Sequence, residues 1–65
     1  MSLSPNDLSI LNFIRKCGCI SFNKLLYLLY LPRDDIIYSI NILVKNKIIY
    51  KSNTGIYCIS YPEEE

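Results

Sequence analysis

The hydrophobic pattern of this chain switches between two periods. Apolar residues recur every three or four positions over residues 5–17, 22–29 and 32–46, which predicts three helices. The segments between and after them are rich in β-branched and aromatic residues, which predicts a short strand at 19–21 and a hairpin. The hairpin strands are expected at 48–52 and 56–60, joined by the turn sequence Asn53-Thr54-Gly55. The pattern therefore predicts a small α+β domain.

Local signals set the ends of the first helix. Ser4 is expected to cap it, Pro5 to take its first position, and Asp7 to lie near the positive end of the helix dipole. Gly18 is expected to end the helix in a left-handed conformation. The stripe predicted to face the core consists of apolar residues at helical spacing, namely Leu8, Leu11 and Ile14, widened by Ile10, Phe13 and Cys17.

The second and third helices are predicted to follow one another across a tight turn. Ser21 is the expected cap of the second helix, whose inward residues are Leu25, Leu26 and Leu29. Pro32 is expected to be the first residue of the third helix. The core stripe of the third helix has the spacing i, i+4, i+7 and comprises Ile36, Ile40 and Leu43.

Length and composition limit the class of protein. A chain of 65 residues makes one domain, expected over residues 1–61, followed by an acidic tail at 62–65. So small a core contributes only about 3–5 kcal/mol net, yet 51% of the residues are hydrophobic, so a binding partner is the expected source of further stability. The longest apolar run, residues 25–31, is far shorter than the roughly 20 residues that a membrane span needs, so no membrane association is expected.

The three cysteines favour reduced thiols over a disulfide framework. Their number is odd and no secretory leader is recognisable, so a reducing cytoplasmic setting is expected. A Cys17–Cys58 or a Cys19–Cys58 bridge is the alternative. With no histidine and only three thiolates, the chain is expected to hold no metal and no cofactor, because structural zinc sites nearly always use four ligands.

Charge is unevenly distributed along the chain. Residues 21–51 carry five cations against two aspartates, a net charge of +3, whereas residues 52–65 carry only three glutamates, a net charge of −3. The central segment is therefore suited to contact with an anionic partner. The chain has no histidine, no paired inward carboxylates and no glycine-rich phosphate loop, so neither an enzyme nor a small-molecule substrate is expected.

The order of the predicted elements resembles the winged helix-turn-helix superfamily over residues 5–60. The matching positions are the Gly18-Cys19-Ile20-Ser21 entry, Leu25 and Leu29, the Leu31-Pro32 turn, Leu43, and Ile48-Ile49 at the start of the wing. The resemblance implies three helices with a C-terminal β-hairpin wing, a fold that serves transcription regulators, polymerase subunits, replication factors and protein-docking modules. Two departures are Tyr30 and Lys47, at positions where many relatives have glycine.

The resemblance also implies where nucleic acid would bind. If the third helix enters a major groove, its outward face meets bases and phosphates, and lysines on the second helix and the wing reach the backbone. The candidate nucleic-acid contacts are Lys24, Arg33, Tyr38, Asn41, Lys45 and Lys51. Asp34 and Asp35 would be repelled by phosphates. The alternative is that the aspartates merely suit the helix dipole and the lysines only keep one face solvated.

Apolar residues remain on the second and third helices after a core face is assigned. A contiguous exposed apolar patch usually marks an interface, and tyrosine is a favoured contact residue. The candidate protein interface comprises Tyr27, Leu28, Tyr30, Ile37, Tyr38, Ile42 and Val44. The alternative is that so small a fold wraps the second helix and buries Leu28 and Tyr30 internally.

The sequence therefore predicts a non-enzymatic binding module. Its expected role is a small subunit of a transcription or replication complex that docks on a protein partner, or on a second copy of the chain, through helices two and three. Double-stranded DNA is the expected second ligand, with nucleoid association if it binds. The alternative is an autonomous homodimeric DNA-binding regulator, and a third hypothesis is a protein scaffold with no DNA contact.

Overall fold

The structure, a computed structural model, describes residues 2–60 and is a small α+β domain, as predicted. The predicted acidic tail at 62–65 lies outside the described residues. Within residues 2–60, three helices and three strands follow one another in the order α1 (Pro5–Cys17), β1 (Cys19–Ile20), α2 (Phe22–Leu28), α3 (Arg33–Lys45), β2 (Ile49–Lys51) and β3 (Tyr57–Ile59). No helix in the described residues is long and apolar enough to cross a membrane.

Helix α1 has the predicted bounds because both of its ends are fixed by local hydrogen bonds. The Ser4 hydroxyl accepts from the Asp7 backbone N–H at 3.2 Å, and the Asp7 carboxylate accepts from the Ser4 backbone N–H at 3.0 Å. This reciprocal pair satisfies two donors that the first turn would otherwise leave free. At the other end Gly18 has φ +80° and donates its N–H to the Ile14 carbonyl at 2.7 Å.

Helices α2 and α3 differ slightly from the predicted segments. The Ser21 hydroxyl caps α2 as expected, accepting from the Lys24 N–H at 3.1 Å, and the helix ends at Leu28. The expectation that Pro32 is the first residue of α3 is wrong by one position. With ψ 147° Pro32 is extended, and its carbonyl accepts from the N–H groups of Asp35 and Ile36, so it is the N-cap.

Helix α3 ends in a Schellman motif with lysine at the left-handed position. The Ile48 N–H donates to the Leu43 carbonyl at 2.9 Å, and the Lys47 N–H donates to the Val44 carbonyl at 2.9 Å. Lys47 has φ +61°, a conformation that glycine usually supplies. The sequence position noted as a departure from winged-helix proteins is therefore the residue on which the chain leaves α3.

The three strands form one antiparallel sheet in the order β1-β3-β2, so the short segment after α1 pairs with the hairpin. Strand β3 is central, with Tyr57 opposite both Ile20 and Lys51. Because side chains alternate between the two faces of a strand, one face carries the buried Ile20 and Ile49 toward the helices. The other face carries Cys19, Cys58 and Tyr50 in a row across the sheet.

The core lies where the three helices meet the inner face of the sheet. The buried apolar residues are Ile10, Leu11, Ile14, Ile20, Leu25, Ile36, Ile40, Leu43 and Ile49, which confirms the predicted stripe of α3. The predicted core stripe of α1 is wrong at two residues, because Leu8 is 47% exposed and Cys17 is exposed. The buried stripe of α1 is shifted by one residue and starts at Asp7, whose polarity concealed it in the hydrophobic pattern.

Asp7 links α1 to α3. The residue is 2% exposed and lies against Ser39, a buried serine of α3. Burial alone would raise the pKa of Asp7, but the Ser39 hydroxyl and the hydrogen bonds with Ser4 outweigh it and hold the pKa below the ordinary value of 3.8. Its Oδ1 atom is buried and accepts no hydrogen bond from the described part of the chain. An acid in this position stabilises the fold as long as it stays ionised.

The expectation of three reduced thiols is wrong for two of them, because Cys19 and Cys58 form a disulfide. The sheet register explains the bond. Cys19 lies directly opposite Cys58, and the Ile59 N–H donates to the Gly18 carbonyl next to this pair. The two cysteines therefore form a non-hydrogen-bonded pair, the closer of the two antiparallel arrangements, with Cα atoms 4.0 Å apart. The expectation of a reducing compartment therefore loses the support of three reduced thiols. Cys17 is a free, exposed thiol.

Candidate nucleic-acid and protein interfaces

Two of the predicted nucleic-acid contacts line one cleft. The cleft encloses about 280 Å³ between the first turns of α2 and α3 on one side and the hairpin on the other. We call it the cation–aromatic cleft, and its lining residues are Phe22, Arg33, Ile37, Lys51, Gly55 and Tyr57. It brings Arg33, at the start of α3, together with Lys51, at the end of β2, although they are 18 positions apart in the sequence.

Each cation of the cleft lies over an aromatic ring. The Arg33 Cζ atom is 5.5 Å from the centre of the Phe22 ring, and the Lys51 Nζ atom is 5.9 Å from the centre of the Tyr57 ring. Contacts of this kind contribute about 0.5–1 kcal/mol at exposed sites, enough to favour one orientation of a long side chain. A guanidinium that rests on a ring keeps its N–H edges free for an anion. Because no carboxylate of residues 2–60 lines the cleft, its chemistry favours a negatively charged ligand.

The hairpin turn that closes the cleft is held by its own polar groups. Gly55 has φ +87°, and its N–H donates to the Ser52 carbonyl at 2.9 Å. The Ser52 hydroxyl shares a hydrogen bond with the Thr54 hydroxyl at 2.9 Å and accepts from the Ile56 N–H at 3.3 Å. The turn carries no charge, so the hairpin contributes a single cation to the cleft, Lys51 at the end of β2.

The remaining predicted nucleic-acid contacts lie outside the cleft. Tyr38, Asn41 and Lys45 are all exposed and follow one another at helical spacing, so they form a single stripe on the outer side of α3. Asp34 precedes them on the same stripe and adds a negative charge there. Lys24 is exposed on α2. The six candidates therefore divide into the cation–aromatic cleft, the outer stripe of α3 and one lysine on α2.

The predicted protein-interface residues do not share one surface. Tyr27, Tyr30 and Tyr38 are 79%, 99% and 68% exposed. Leu28 is half-buried and packs against the core, whereas Tyr30 does not. The alternative that the fold wraps the second helix therefore accounts for Leu28 but not for Tyr30.

The three aliphatic candidates of α3 lie on different sides of the helix. Ile37 and Val44 are seven positions apart and lie on the flank facing the hairpin, where Ile37 lines the cleft. Ile42 is half-buried and lies about 140° around the helix axis from Ile37. Among the seven candidates, only the three tyrosines are more than half exposed to solvent.

Several residues of these surfaces were not predicted. Phe22 and Tyr57 support the two cations of the cleft, and Tyr50 is 49% exposed on the outer face of the sheet. The position of Tyr57 is readable from the sequence, because a hairpin turning at 53–55 places residue 57 opposite residue 51. The position of Phe22 is not, since it depends on how α2 packs beside α3.

The described residues offer no centre for metal chemistry, because no three cysteine, aspartate or glutamate side chains among them cluster closely enough to hold an ion. The arrangement can bind an anion in the cleft and can present tyrosines to a partner. Comparisons of the chain with protein-family models, with curated proteins and with solved structures found no match.

Proposed function

We propose that this chain is a winged-helix binding module, a small subunit of a DNA-transaction complex that contacts nucleic acid weakly and docks on a protein partner. The winged-helix assignment is supported by the element order α1-β1-α2-α3-β2-β3 and by the pairing of β1 with the far strand of the hairpin. Its function is one of binding, without catalysis.

The observation that carries the nucleic-acid part is the convergence of Arg33 and Lys51 in the cation–aromatic cleft. Helix α3 and the hairpin are the two elements that such a fold applies to a duplex, and here each supplies a cation to the same cleft. A phosphate in the cleft would accept hydrogen bonds from both. The outer stripe of Tyr38, Asn41 and Lys45 then lies on the same helix for contact with bases or further phosphates.

The expected affinity is low. Three or four phosphate contacts give binding on the order of 10⁻⁴–10⁻⁶ M that weakens steeply with salt. Asp34 and Asp35 adjoin Arg33 at the start of α3, and both are exposed, so they oppose the approach of a phosphate. The balance of charges supports an accessory role in a larger assembly better than independent recognition of a DNA site.

The protein-docking part rests on the exposure of Tyr27, Tyr30 and Tyr38. A tyrosine that is 99% exposed contributes nothing to the core of an isolated domain, whereas in an interface its ring buries a large apolar area and its hydroxyl finds a partner. These residues belong to α2, to the turn that follows it, and to α3. Helices two and three are therefore the proposed docking side.

The nucleic-acid part is tested by fluorescence anisotropy of a labelled random-sequence duplex at ~50–200 mM salt. The double variant Arg33→Gln with Lys51→Gln is expected to lose roughly tenfold or more in affinity and to show a shallower salt dependence. Lys16→Gln is the matched control, because Lys16 is an exposed cation at the end of α1 that does not line the cleft. Because the control removes one charge and the double variant two, an equal loss of binding free energy per removed charge would mean that only net charge acts and that the cleft has no special role.

Sedimentation of the isolated chain separates the accessory subunit from the regulator. An accessory subunit is expected to be monomeric or loosely self-associated on its own. A stable homodimer that prefers one duplex sequence would instead support an autonomous regulator.

A further inference from the structure

A second groove lies beside β2, where the chain leaves the sheet. It encloses about 350 Å³ between the hairpin and the end of α3. We call it the exit groove, and its lining residues are Val44, Lys47, Ile49, Tyr50, Lys51 and Ser60. Ser60 is the last residue that the structure describes. The acidic tail, residues 62–65, therefore follows within two positions of the wall of this groove.

The backbone around Ser60 sets the direction in which the chain leaves the sheet. The Ser60 N–H donates to the Ile48 carbonyl at 3.0 Å, so Ser60 lies beside the residue that precedes β2. Because β3 runs antiparallel to β2, the position that comes next in this register is Lys47. The chain therefore leaves the sheet toward one of the two lysines of the exit groove.

The acidic tail is long enough to reach both lysines. Pro62 comes two positions after Ser60, and proline suits a change of direction because it lacks the N–H that would continue a β ladder. The three glutamates at 63–65 span about 10 Å when extended. Lys51, the second lysine of the groove, is three residues along the hairpin from Ile48, which is also about 10 Å. A tail that turns back at Pro62 can therefore place carboxylates along the whole groove.

Lys51 lines both the exit groove and the cation–aromatic cleft. Its Nζ atom is 5.9 Å from the centre of the ring of Tyr57, a residue of the cleft. A cation–aromatic contact at an exposed site changes an equilibrium by about two- to fivefold, and an exposed ion pair has a comparable effect. Neither contact therefore holds the ammonium group against the other, and Lys51 can serve either surface.

We propose that the acidic tail occupies the exit groove, with its carboxylates on Lys47 and Lys51, and thereby competes with nucleic acid for Lys51. Two lysines line the groove, and three glutamates begin three residues after Ser60. Because the tail belongs to the same chain, its effective concentration at the groove is about millimolar, so weak ion pairs give partial occupancy. The competition rests on the proposed nucleic-acid binding, whereas the tail contact does not.

The tail contact is tested first, without nucleic acid. The variant used, here called the tail variant, combines Glu63→Gln, Glu64→Gln and Glu65→Gln. At ~50 mM salt the amide and side-chain NMR signals of Lys47 and Lys51 are expected to differ between the wild type and the tail variant, and the differences should shrink at ~200 mM salt. Lys16 is the internal control, because it does not line the groove and its signals should stay in place. Unchanged signals of Lys47 and Lys51 would overturn the tail contact.

The competition is tested by a double-mutant cycle of duplex affinities, measured with the labelled random-sequence duplex at ~50 mM salt. The tail variant is expected to bind the duplex about threefold or more tighter than the wild type. In a Lys51→Gln background the same change of the tail is expected to give a clearly smaller gain, because the tail then has no shared lysine to release. An equal gain in both backgrounds would mean that the glutamates only repel the duplex through net charge, and it would overturn the competition.

The variant Lys47→Gln separates the competition from an effect of net charge. Lys47 lines the exit groove but not the cleft, so the loss of its charge releases the tail and leaves the cleft unchanged. This variant is expected to bind the duplex more tightly than the wild type although it has one positive charge fewer, whereas Lys16→Gln should weaken binding slightly. Weaker binding by Lys47→Gln would overturn the competition.

The two experiments also distinguish this proposal from the proposed function. If no variant binds the duplex, but the signals of Lys47 and Lys51 still differ between the wild type and the tail variant, the proposed function and the competition are refuted and the tail contact stands.

Discussion

Reduction of the Cys19–Cys58 disulfide is expected to remove roughly half of the domain's free energy of unfolding. The bond joins β1 to β3 and closes a loop with a sequence separation of 39 residues, which contains α2, α3 and β2. Loop-closure entropy for that length corresponds to about 4 kcal/mol at 25 °C. The core of so small a domain contributes about 3–5 kcal/mol net on its own, so the reduced chain is expected to keep roughly half of the oxidised domain's free energy of unfolding.

The assay is urea unfolding followed by circular dichroism, with the oxidised protein compared with the same protein in a thiol reductant. At an m value of about 1–2 kcal/mol per molar urea, the unfolding midpoint is expected to fall by roughly 2–4 M on reduction. Cys17→Ser is the matched control and should unfold like the wild type under both conditions, because Cys17 is exposed and outside the bond.

Two results would refute this reasoning. Alkylation of the unfolded, unreduced protein is expected to label one cysteine, and labelling of all three would show that the disulfide is absent. If the bond is present but reduction moves the midpoint by less than about 0.5 M, loop closure does not set the stability, and structure retained in the unfolded chain would be the explanation.

Three further predictions concern single residues. Lys47→Gly should raise the free energy of unfolding by about 1 kcal/mol in urea titrations, because glycine accepts φ +61° without the side-chain penalty, and an unchanged value would mean that the turn relaxes. Asp7→Asn should flatten the acid side of the stability curve. The lowered pKa of Asp7 stabilises the fold above pH 3.8, and this contribution is lost as the pH falls from there through the folded-state pKa. In thermal melts, the midpoint temperature of the wild type should therefore fall more steeply with decreasing pH below about pH 4 than that of the variant. Tyr38→Ala should change the unfolding free energy by less than about 0.5 kcal/mol, because its ring is 68% exposed, and a larger loss would show that the ring belongs to the core.

The sequence predicted those features that depend on residues close together in the chain. Helix α1 has its predicted bounds because Ser4, Asp7 and Gly18 act on neighbouring backbone groups. The core stripe of α3 was predicted because its apolar residues are uninterrupted at helical spacing. The short strand at Cys19–Ile20 was also predicted, although it is too short to form without a partner.

The features that were missed depend on distant contacts. Asp7 lies in the core because Ser39 of another helix faces it, and a hydrophobic pattern assigns an aspartate to the surface. The disulfide follows from the register of two strands far apart in the chain, so the sequence left two pairings and a reduced state open.

The candidate sites were predicted in the same uneven way. Arg33 and Lys51 were selected as separate cations, and the sequence could not show that they line one cleft with Phe22 and Tyr57.

The most direct test of the proposed function is an amide chemical-shift titration of the domain with a random-sequence duplex at ~50 mM salt. The account predicts shifts at the amides of the cation–aromatic cleft, above all Arg33, Lys51 and Gly55, that disappear when the salt is raised to ~200 mM. The absence of shifts at low salt, or shifts confined to α1 and the outer face of the sheet, would contradict it.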